Sequence, residues 1–274
     1  MTSVAKTLRA CARMLAAVLV IFACVASEVK ASDGYRRAAL VIGNADYGGL
    51  EALHNTQNDA RDMCGALKSI GYTTVCKEDV ATRDAFDDVL QNFVAAVTPN
   101  TAVVIFYSGH ALEMDGQNYL VPTQAGLKSP SDVQSETVSI NAVLHRLEIA
   151  GNYLSVVILD ACRDNPWQGL QRVHPVLAEI NDIPRGAVVI YATGANDVAL
   201  SSAQRNGVLT RSILANIKRR DLTITAMFEE VSHEVEQESA NLTGRAQSPA
   251  LNMRFNGKFC LAGCLRESAV VPGF

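Results

Sequence analysis

Short apolar runs alternate with helical patterns along most of this chain. Runs long enough to form buried strands lie at residues 38–43, 72–76, 101–108, 154–160, 186–193 and 252–260. Between them, apolar residues recur at the spacing of one helix face in 59–70, 82–97, 139–149, 207–217 and 223–239. Strands that alternate with helices predict an α/β fold, with a mostly parallel sheet and helices on both of its faces.

Local signals mark where several of these elements begin or turn. Asn58 and Thr82 are placed to cap the first and second helices. Asp115-Gly116 is a hairpin signal between two short apolar stretches. Polar residues dominate 123–137 and 165–185, so we expect both stretches to be loops.

Two of the predicted strands end in residues that can carry chemistry. The run from Thr101 continues into Ser108-Gly109-His110, and the run from Leu154 continues into Asp160-Ala161-Cys162. In an open parallel sheet, ligands bind outside the carboxyl ends of the strands. If the two strands are neighbours, a thiol and an imidazole face one crevice. This is the arrangement of a nucleophilic enzyme in which histidine activates cysteine.

Each of these residues also has a purely structural interpretation. A free cysteine is often a small buried residue, and a single histidine is often a satisfied polar group. Asp160 falls on the same side of its strand as Cys162 by the two-residue period, but it could equally be a solvated carboxylate at a strand end. Asp59, at the start of the first helix, is also favoured there by the helix dipole.

The first residues have the pattern of a secretory signal peptide. A basic start is followed by the uncharged apolar stretch Met14–Val25 and by small residues around Val29-Lys30-Ala31. We therefore expect residues 1–31 to be removed, leaving 32–274 as a periplasmic or secreted protein without a stable membrane span. The apolar stretch is shorter than the ~20 residues that span a bilayer. An uncleaved anchor and lipidation at Cys24 are the alternatives.

Cysteine usage fits an oxidising compartment. Five cysteines remain after the signal, and an odd number in an exported protein implies one leftover thiol. Two local pairs, Cys64–Cys76 and Cys260–Cys264, would leave Cys162 free. Alternatively, Cys64 and Cys76 are unpaired core residues.

Composition excludes some classes of partner. The formal net charge of -4 and the charged fraction of 19% do not indicate a nucleic-acid partner or a polybasic membrane-binding surface. The hydrophobic fraction of 49% is enough for a full core. No pair of cysteines or cluster of histidines has zinc-ligand spacing, so the metal content is left open.

Several motifs together resemble a known family. They are Ala39-Leu40-Val41-Ile42-Gly43-Asn44, Asn58-Asp59-Ala60, Tyr107-Ser108-Gly109-His110, Gly116-Gln117-Asn118-Tyr119-Leu120-Val121-Pro122, Asp160-Ala161-Cys162-Arg163, Tyr191-Ala192-Thr193 and Arg205-Asn206-Gly207-Val208-Leu209-Thr210. The chain resembles caspase-type cysteine peptidases, in particular their bacterial metacaspase-like branch, over roughly residues 36 to 260.

The resemblance implies a fold and a catalytic pair. The fold would be a caspase-like three-layer sandwich, with a large-subunit-like part at about 36–165 and a small-subunit-like part at about 186–260. Cys162 matches the nucleophile, and His110 matches the general base and acid. The oxyanion hole would use the main-chain N–H groups of Cys162 and of the stretch Gly109 to Ala111, with Ala111 where many relatives have glycine.

The resemblance also implies a specificity. Asp59 and Asp160 match two carboxylates of the pocket with which metacaspases select Arg or Lys before the cut bond, and Ser108 matches a polar wall residue. A carboxylate pair binds a guanidinium through charge-assisted, bidentate hydrogen bonds. We therefore expect an exported cysteine endopeptidase that acts on peptides or proteins. The rivals are a catalytically silent caspase-fold protein that binds peptides or regulates partners, and a thiol hydrolase that cuts after another residue.

The sequence predicts no required cofactor. Nothing in the sequence calls for a cofactor. Calcium activates some members of the metacaspase branch, but no calcium site can be mapped from these residues.

Overall fold

The fold is taken from a computed structural model that describes residues 34–48, 50, 52–162, 167, 170, 173–174, 177–178, 180, 182–192 and 204–265, with only the main chain of Cys162 and His174. All of these belong to one compact unit, Ala31–Phe274. The predicted signal peptide, residues 1–31, lies outside the described residues, as does part of the predicted loop 165–185.

The described residues form strands and helices in alternation. The strands are β1 (Arg36–Gly43), β2 (Thr73–Glu78), β3 (Thr101–Met114), β4 (Gln117–Leu120), β5 (Val138–Ser139), β6 (Leu154–Cys162), β7 (Val173–His174), β8 (Ala187–Tyr191) and β9 (Ala250–Met253). The helices are α1 (Thr56–Ser69), α2 (Arg83–Ala95), α3 (Pro130–Glu136), α4 (Ile140–Ala150), α5 (Val208–Asn216) and α6 (Ile224–Thr243).

The central sheet has the order β2-β1-β3-β6-β8-β9. All neighbours in it are parallel except β9, which runs antiparallel to β8 at one edge. Beyond the end of β1, the long strand β3 pairs with β4 and β7 in a small antiparallel extension, and β4 in turn pairs with β5. The predicted mostly parallel sheet is confirmed.

Helices cover both faces of this sheet. Alternate residues of each strand point to opposite faces, so Val104 and Phe106 pack in one core with α1, α5 and α6, while Val103 and Ile105 pack in another with α2 and α4. Each fully buried large apolar side chain stabilises the fold by about 1.5–3 kcal/mol. The result is the three-layer sandwich that the resemblance implies.

The first helix begins earlier than its sequence suggests. α1 starts at Thr56, so Asn58 lies inside the first turn and the predicted cap at Asn58 is wrong. The hydroxyl of Thr56 donates to the carbonyl of Leu53, and the N–H of Asp59 donates to the carbonyl of Asn55, which closes the first turn. The predicted cap of α2 is confirmed, since Thr82 accepts a hydrogen bond from the N–H of Ala85.

Two predictions on the carboxyl-terminal side of β3 need correction. The polar stretch 123–137 is not only a loop, because it contains α3, which begins with a capping box between Ser129 and Asp132. The strand predicted at 252–260 is the short β9, and the chain leaves the sheet after Met253. Phe259 then enters the core, where its carbonyl accepts the N–H of Ile224 at the start of α6.

The strands β3 and β6 are longer than predicted. His110 and Cys162 were expected in turns after the strands, but both lie within them. β3 continues to Met114 because β4 replaces β1 as its partner on one side. The predicted hairpin is confirmed, and its turn residues Asp115 and Gly116 both have positive φ.

Two disulfides join neighbouring segments. Cys64–Cys76 connects α1 with β2 at an S–S distance of 2.04 Å, and Cys260–Cys264 closes a short turn after β9. Within the part of the chain that the structure describes, no helix is long and apolar enough to cross a membrane.

Candidate active site

The register of β3 and β6 places the two predicted catalytic residues side by side. His110 is the pairing partner of Cys162, and two residues earlier Ser108 is the partner of Asp160. Adjacent strands lie about 4.8 Å apart. The prediction that these strands are neighbours is therefore confirmed, and their carboxyl ends carry a cysteine, a histidine, a serine and an aspartate in two successive pairs.

Aromatic rings enclose the side chain of His110. The residue is only 3% exposed. The ring of Tyr47 lies edge-on to the imidazole with centroids 4.5 Å apart, and Trp167 packs on it in a similar way at 5.4 Å. These contacts restrict the imidazole to one position beside the end of β6.

The main chain of His110 is held by two tyrosine hydroxyls. Its N–H donates to the hydroxyl of Tyr47 at 2.7 Å, and its carbonyl accepts from the hydroxyl of Tyr107 at 2.8 Å. The hydroxyl of Tyr47 also lies 3.3 Å from the carbonyl of Val121 and can donate to it. Tyr47 therefore bridges a position of the β3–β4 ladder where two strands normally bond directly.

These hydroxyls explain the glycine before the histidine. A Cβ on Gly109 would lie 2.6 Å from the hydroxyl of Tyr107 and 2.7 Å from that of Tyr47. Neither oxygen could move without losing its bond to His110. Gly109 is thus required by the packing of the two tyrosines.

The loop after β1 holds Tyr47 in place. Asp79 accepts hydrogen bonds from the N–H groups of Ala45 and Asp46 at 2.7 and 3.1 Å. Asn44 is fully buried, donates to the carbonyl of Val121 and accepts from the N–H of Val80. Tyr47 could not be predicted as part of the site, because a turn-rich loop has no periodicity that would single out one residue.

The strand geometry orients the N–H of Ala111 towards β6. The carbonyl of His110 accepts from the N–H of Val121, so the next pair, Ala111 and Leu120, is a non-hydrogen-bonded pair. The N–H of Ala111 then points away from β4. Thr101 lies an even number of residues before Ala111, so its main-chain groups point to the same side of β3. Its carbonyl accepts the N–H of Tyr153, which directly precedes β6. This is the direction that the predicted oxyanion role requires.

The structure brings the three predicted pocket residues together. The hydroxyl of Ser108 donates to the carboxylate of Asp59 at 3.2 Å, and Asp160 is the pairing partner of Ser108 on the next strand. Asp59 is 2% exposed, whereas Asp160 is partly exposed. Gly43 lets α1 approach this closely, since a Cβ there would lie 2.5 Å from the carbonyl oxygen of Thr56.

A distant segment of the chain completes this cluster. The Asn206 amide and the Gly207 N–H donate to Asp59 at 3.1 and 3.0 Å. The hydroxyl and N–H of Thr210 donate to Asp160 at 2.5 and 3.2 Å. No role was predicted for these residues, although the family resemblance of Arg205-Asn206-Gly207-Val208-Leu209-Thr210 was a signal that could have identified them.

Burial makes ionisation of both carboxyl groups less favourable, and for Asp59 the charge of Asp160 adds to this effect. Burial, followed by the charge of Asp160, raises the pKa of Asp59 from 3.8 to about 7, against the opposing hydrogen bonds from Gly207, Asn206 and Ser108. Burial also raises the pKa of Asp160, while the bonds from Thr210 lower it. A cation placed between the two groups would favour their ionised forms.

The described residues contain no group of three or more histidine, cysteine, aspartate or glutamate side chains that could hold a metal ion. Calcium is suggested for this chain by the family resemblance alone.

Fold and site together define a class of protein. A three-layer α/β sandwich with a histidine and a cysteine paired on adjacent parallel strands is the arrangement of caspase-type cysteine peptidases. The chain belongs to the caspase family, since the family model described as the caspase domain matches residues 36–260.

Two curated proteins are similar to this chain, each at 23% identity. The human mucosa-associated lymphoid tissue lymphoma translocation protein 1 is 23% identical over 203 residues, which cover 73% of this chain and 24% of the human protein. Its mouse homologue is also 23% identical over 203 residues, covering 73% of this chain and 23% of the mouse protein. The chain therefore spans about a quarter of the length of these relatives.

Proposed function

We propose that this protein is a cysteine endopeptidase that cuts peptide bonds after Arg or Lys with Cys162 and His110. One observation carries the proposal: the β3–β6 register pairs His110 with Cys162 and, two residues earlier, Ser108 with Asp160. A nucleophile and its base thus lie next to a pocket with two carboxyl groups.

The reaction follows from the roles of the two residues. His110 takes the proton of the Cys162 thiol, and the thiolate attacks the scissile carbonyl carbon. The oxygen, now negative, accepts hydrogen bonds from the N–H groups of Cys162 and Ala111. His110 then donates its proton to the leaving amine as the C–N bond breaks. Finally, water attacks the thioester with His110 as base, which releases the acid and restores the thiol.

The acidic pocket supports the cationic specificity. The carboxylates of Asp59 and Asp160 share one small space with the hydroxyl of Ser108, and each can accept hydrogen bonds from a guanidinium or ammonium group. Caspases that cut after aspartate bind this residue with arginines, and we identify no equivalent set of arginines among the described residues. The chain is therefore more similar to the metacaspase branch in its proposed specificity.

An exported, periplasmic or secreted protein fits the two disulfides, because such bonds persist in oxidising compartments. Mass spectrometry of the exported protein should show a chain that starts at Ser32 and, after alkylation without reduction, carries one label on Cys162. If residues 1–31 were still present in this protein, the export proposal would be contradicted.

A panel of fluorogenic peptides tests the activity. Peptides with Arg, Lys, Asp or Asn before the reporter are offered to the wild type and to Cys162→Ala. We expect cleavage of the Arg and Lys peptides by the wild type alone. Because the dyad acts as a unit, His110→Ala should be as inactive as Cys162→Ala, and the double variant no worse. A wild type that binds but cleaves none of the peptides would favour the catalytically silent alternative.

A further inference from the structure

Gly207 lies close to both pocket carboxylates, those of Asp59 and Asp160. It is buried and directly precedes α5. Its backbone has φ −59° and ψ 156°, an extended conformation that any residue adopts. The conformation of the chain therefore does not require glycine here.

A side chain at position 207 would occupy the space next to the two pocket carboxylates. A Cβ on Gly207 would lie 3.0 Å from a carboxylate oxygen of Asp160 and 3.4 Å from one of Asp59. It would thus stand between the two acidic groups. Because glycine has no Cβ, the space between these two carboxylate oxygens stays unfilled.

Residues on both sides of Gly207 in the sequence hold the two carboxylates in place. The amide of Asn206 bridges Asp59 and Asp62, at 3.1 and 3.0 Å, and Arg205 makes two bonds of 2.8 Å to Asp62. On the other side, the buried Thr210 donates twice to one oxygen of Asp160. Each carboxylate is therefore held by its own donors, Asp59 by Asn206 and the N–H of Gly207, and Asp160 by Thr210.

We propose that Gly207 is a specificity-determining residue, which keeps the gap between Asp59 and Asp160 clear for the terminal cation of the substrate side chain, and that Thr210 is a positioning residue for Asp160. The inference rests on the proposed function and names the part of the small-subunit-like segment that forms the pocket wall.

Glycine at this position has a competing explanation in helix capping. Gly207 is the N-cap of α5, and glycine is tolerated at such positions, although serine is preferred there. The two explanations make opposite predictions for Gly207→Ser. Serine improves the cap but places a side chain between the carboxylates, so it should preserve the fold and impair cleavage after Arg.

The experiment compares Gly207→Ala and Gly207→Ser with Gly65→Ala, the matched control. Gly65 lies within α1, and a Cβ there would meet nothing within 4 Å. We measure kcat/KM on the Arg and Lys peptides. The rate at which iodoacetamide alkylates Cys162 is measured in parallel, because this small neutral reagent does not need the pocket.

Both Gly207 variants should lose kcat/KM on the Arg peptide by about tenfold or more, which corresponds to 1.4 kcal/mol in the barrier. Alkylation of Cys162 should stay within about twofold of the wild type, and Gly65→Ala should match the wild type in both measurements. Unchanged Arg cleavage in folded Gly207→Ser would overturn the inference. So would a parallel fall of cleavage and alkylation, which indicates a general structural loss.

Thr210 provides a second, independent test. Thr210→Val keeps the shape of the side chain but removes the hydroxyl donor to Asp160, whereas Thr210→Ser keeps the donor. We expect Thr210→Val to raise KM for the Arg peptide several-fold and Thr210→Ser to restore it. Equal kinetics of the two variants would contradict the positioning role. A wild type that cleaves no Arg or Lys peptide would instead overturn the proposed function, and this inference with it.

Discussion

At the scale of single residues, the position of His110, the proposed catalytic histidine, depends on Tyr47. The hydroxyl of Tyr47 accepts the N–H of His110, and its ring contacts the imidazole. The tyrosine is itself 5% exposed, so water has little access to replace it. Removal of the hydroxyl leaves a buried N–H unsatisfied, which costs about 1–3 kcal/mol.

Tyr47→Phe should therefore lower kcat on the Arg peptide by about tenfold, because a shift of the histidine affects the transition state more than binding. KM should change little, since Asp59 and Asp160 are untouched. Steady-state kinetics gives kcat and KM, and a thermal unfolding curve gives the loss of stability. Tyr35→Phe is the control, as Tyr35 stacks on Tyr153 far from His110 along the sheet. A rise in KM with unchanged kcat would count against this role.

At the scale of elements, the pocket depends on how α1 is attached to the sheet. The disulfide Cys64–Cys76 ties α1 to β2, the edge strand, and Arg61 adds an ion pair with Glu78 on the exposed side. An exposed ion pair contributes at most about 1 kcal/mol, so the disulfide is the stronger connection. The same helix carries Asp59 towards Ser108.

The paired substitution Cys64→Ser with Cys76→Ser should destabilise the fold by about 2–4 kcal/mol, because the lost bond closes a chain segment with a sequence separation of 12. Removal of Cys260–Cys264, with a separation of 4, should cost less, since a short loop loses little entropy in the unfolded chain. Chemical unfolding of both variants gives the comparison. A larger loss from the shorter loop would argue against the entropic account.

At the scale of the whole molecule, the pocket is assembled from four segments. Asp59 lies in α1, Ser108 in β3 and Asp160 in β6, and the other hydrogen-bond donors lie just before α5 and in its first turn. The raised pKa of Asp59 is a result of this assembly, because burial and the nearby charge of Asp160 exist only in the folded protein.

Binding of a cationic side chain should therefore depend on pH. With a pKa of about 7 in the free protein, Asp59 is mostly neutral below pH 7 and ionised above it. Affinity for an Arg-ending peptide should fall by about tenfold between pH 8 and pH 6. The same shift means that, for this group, fold stability decreases as pH rises from about 4 to 7, since the folded state retains a proton that the unfolded chain has lost.

Calorimetry with Cys162→Ala, which cannot cleave the peptide, measures this affinity. Asp59→Asn in the same background keeps the size of the side chain without its titration, so its binding should be weaker and flat with pH over this range. A peptide ending in norleucine controls for effects that do not involve charge. Equal affinities of the Arg peptide at pH 6 and pH 8 would rule out the proposed coupling.

Local patterns in the sequence were sufficient to predict the alternation of strands and helices. Apolar runs bounded by turns and caps are local properties, so the prediction placed β1, β3 and β6, although β3 and β6 extend further than predicted, and it was correct for the Thr82 cap. The errors concerned the ends of elements. The start of α1 and the end of β9 depend on the segments that each of them contacts in the folded protein.

The residues that surround the site could not be predicted from local sequence patterns. Tyr47 reaches His110 across 63 positions, and Gly207 reaches Asp59 across 148. Such contacts have no periodicity in the sequence, because they arise from the order of strands in the sheet and from the way helices pack on it. The burial that raises the pKa of Asp59 arises in the same way, from segments that meet only in the folded protein.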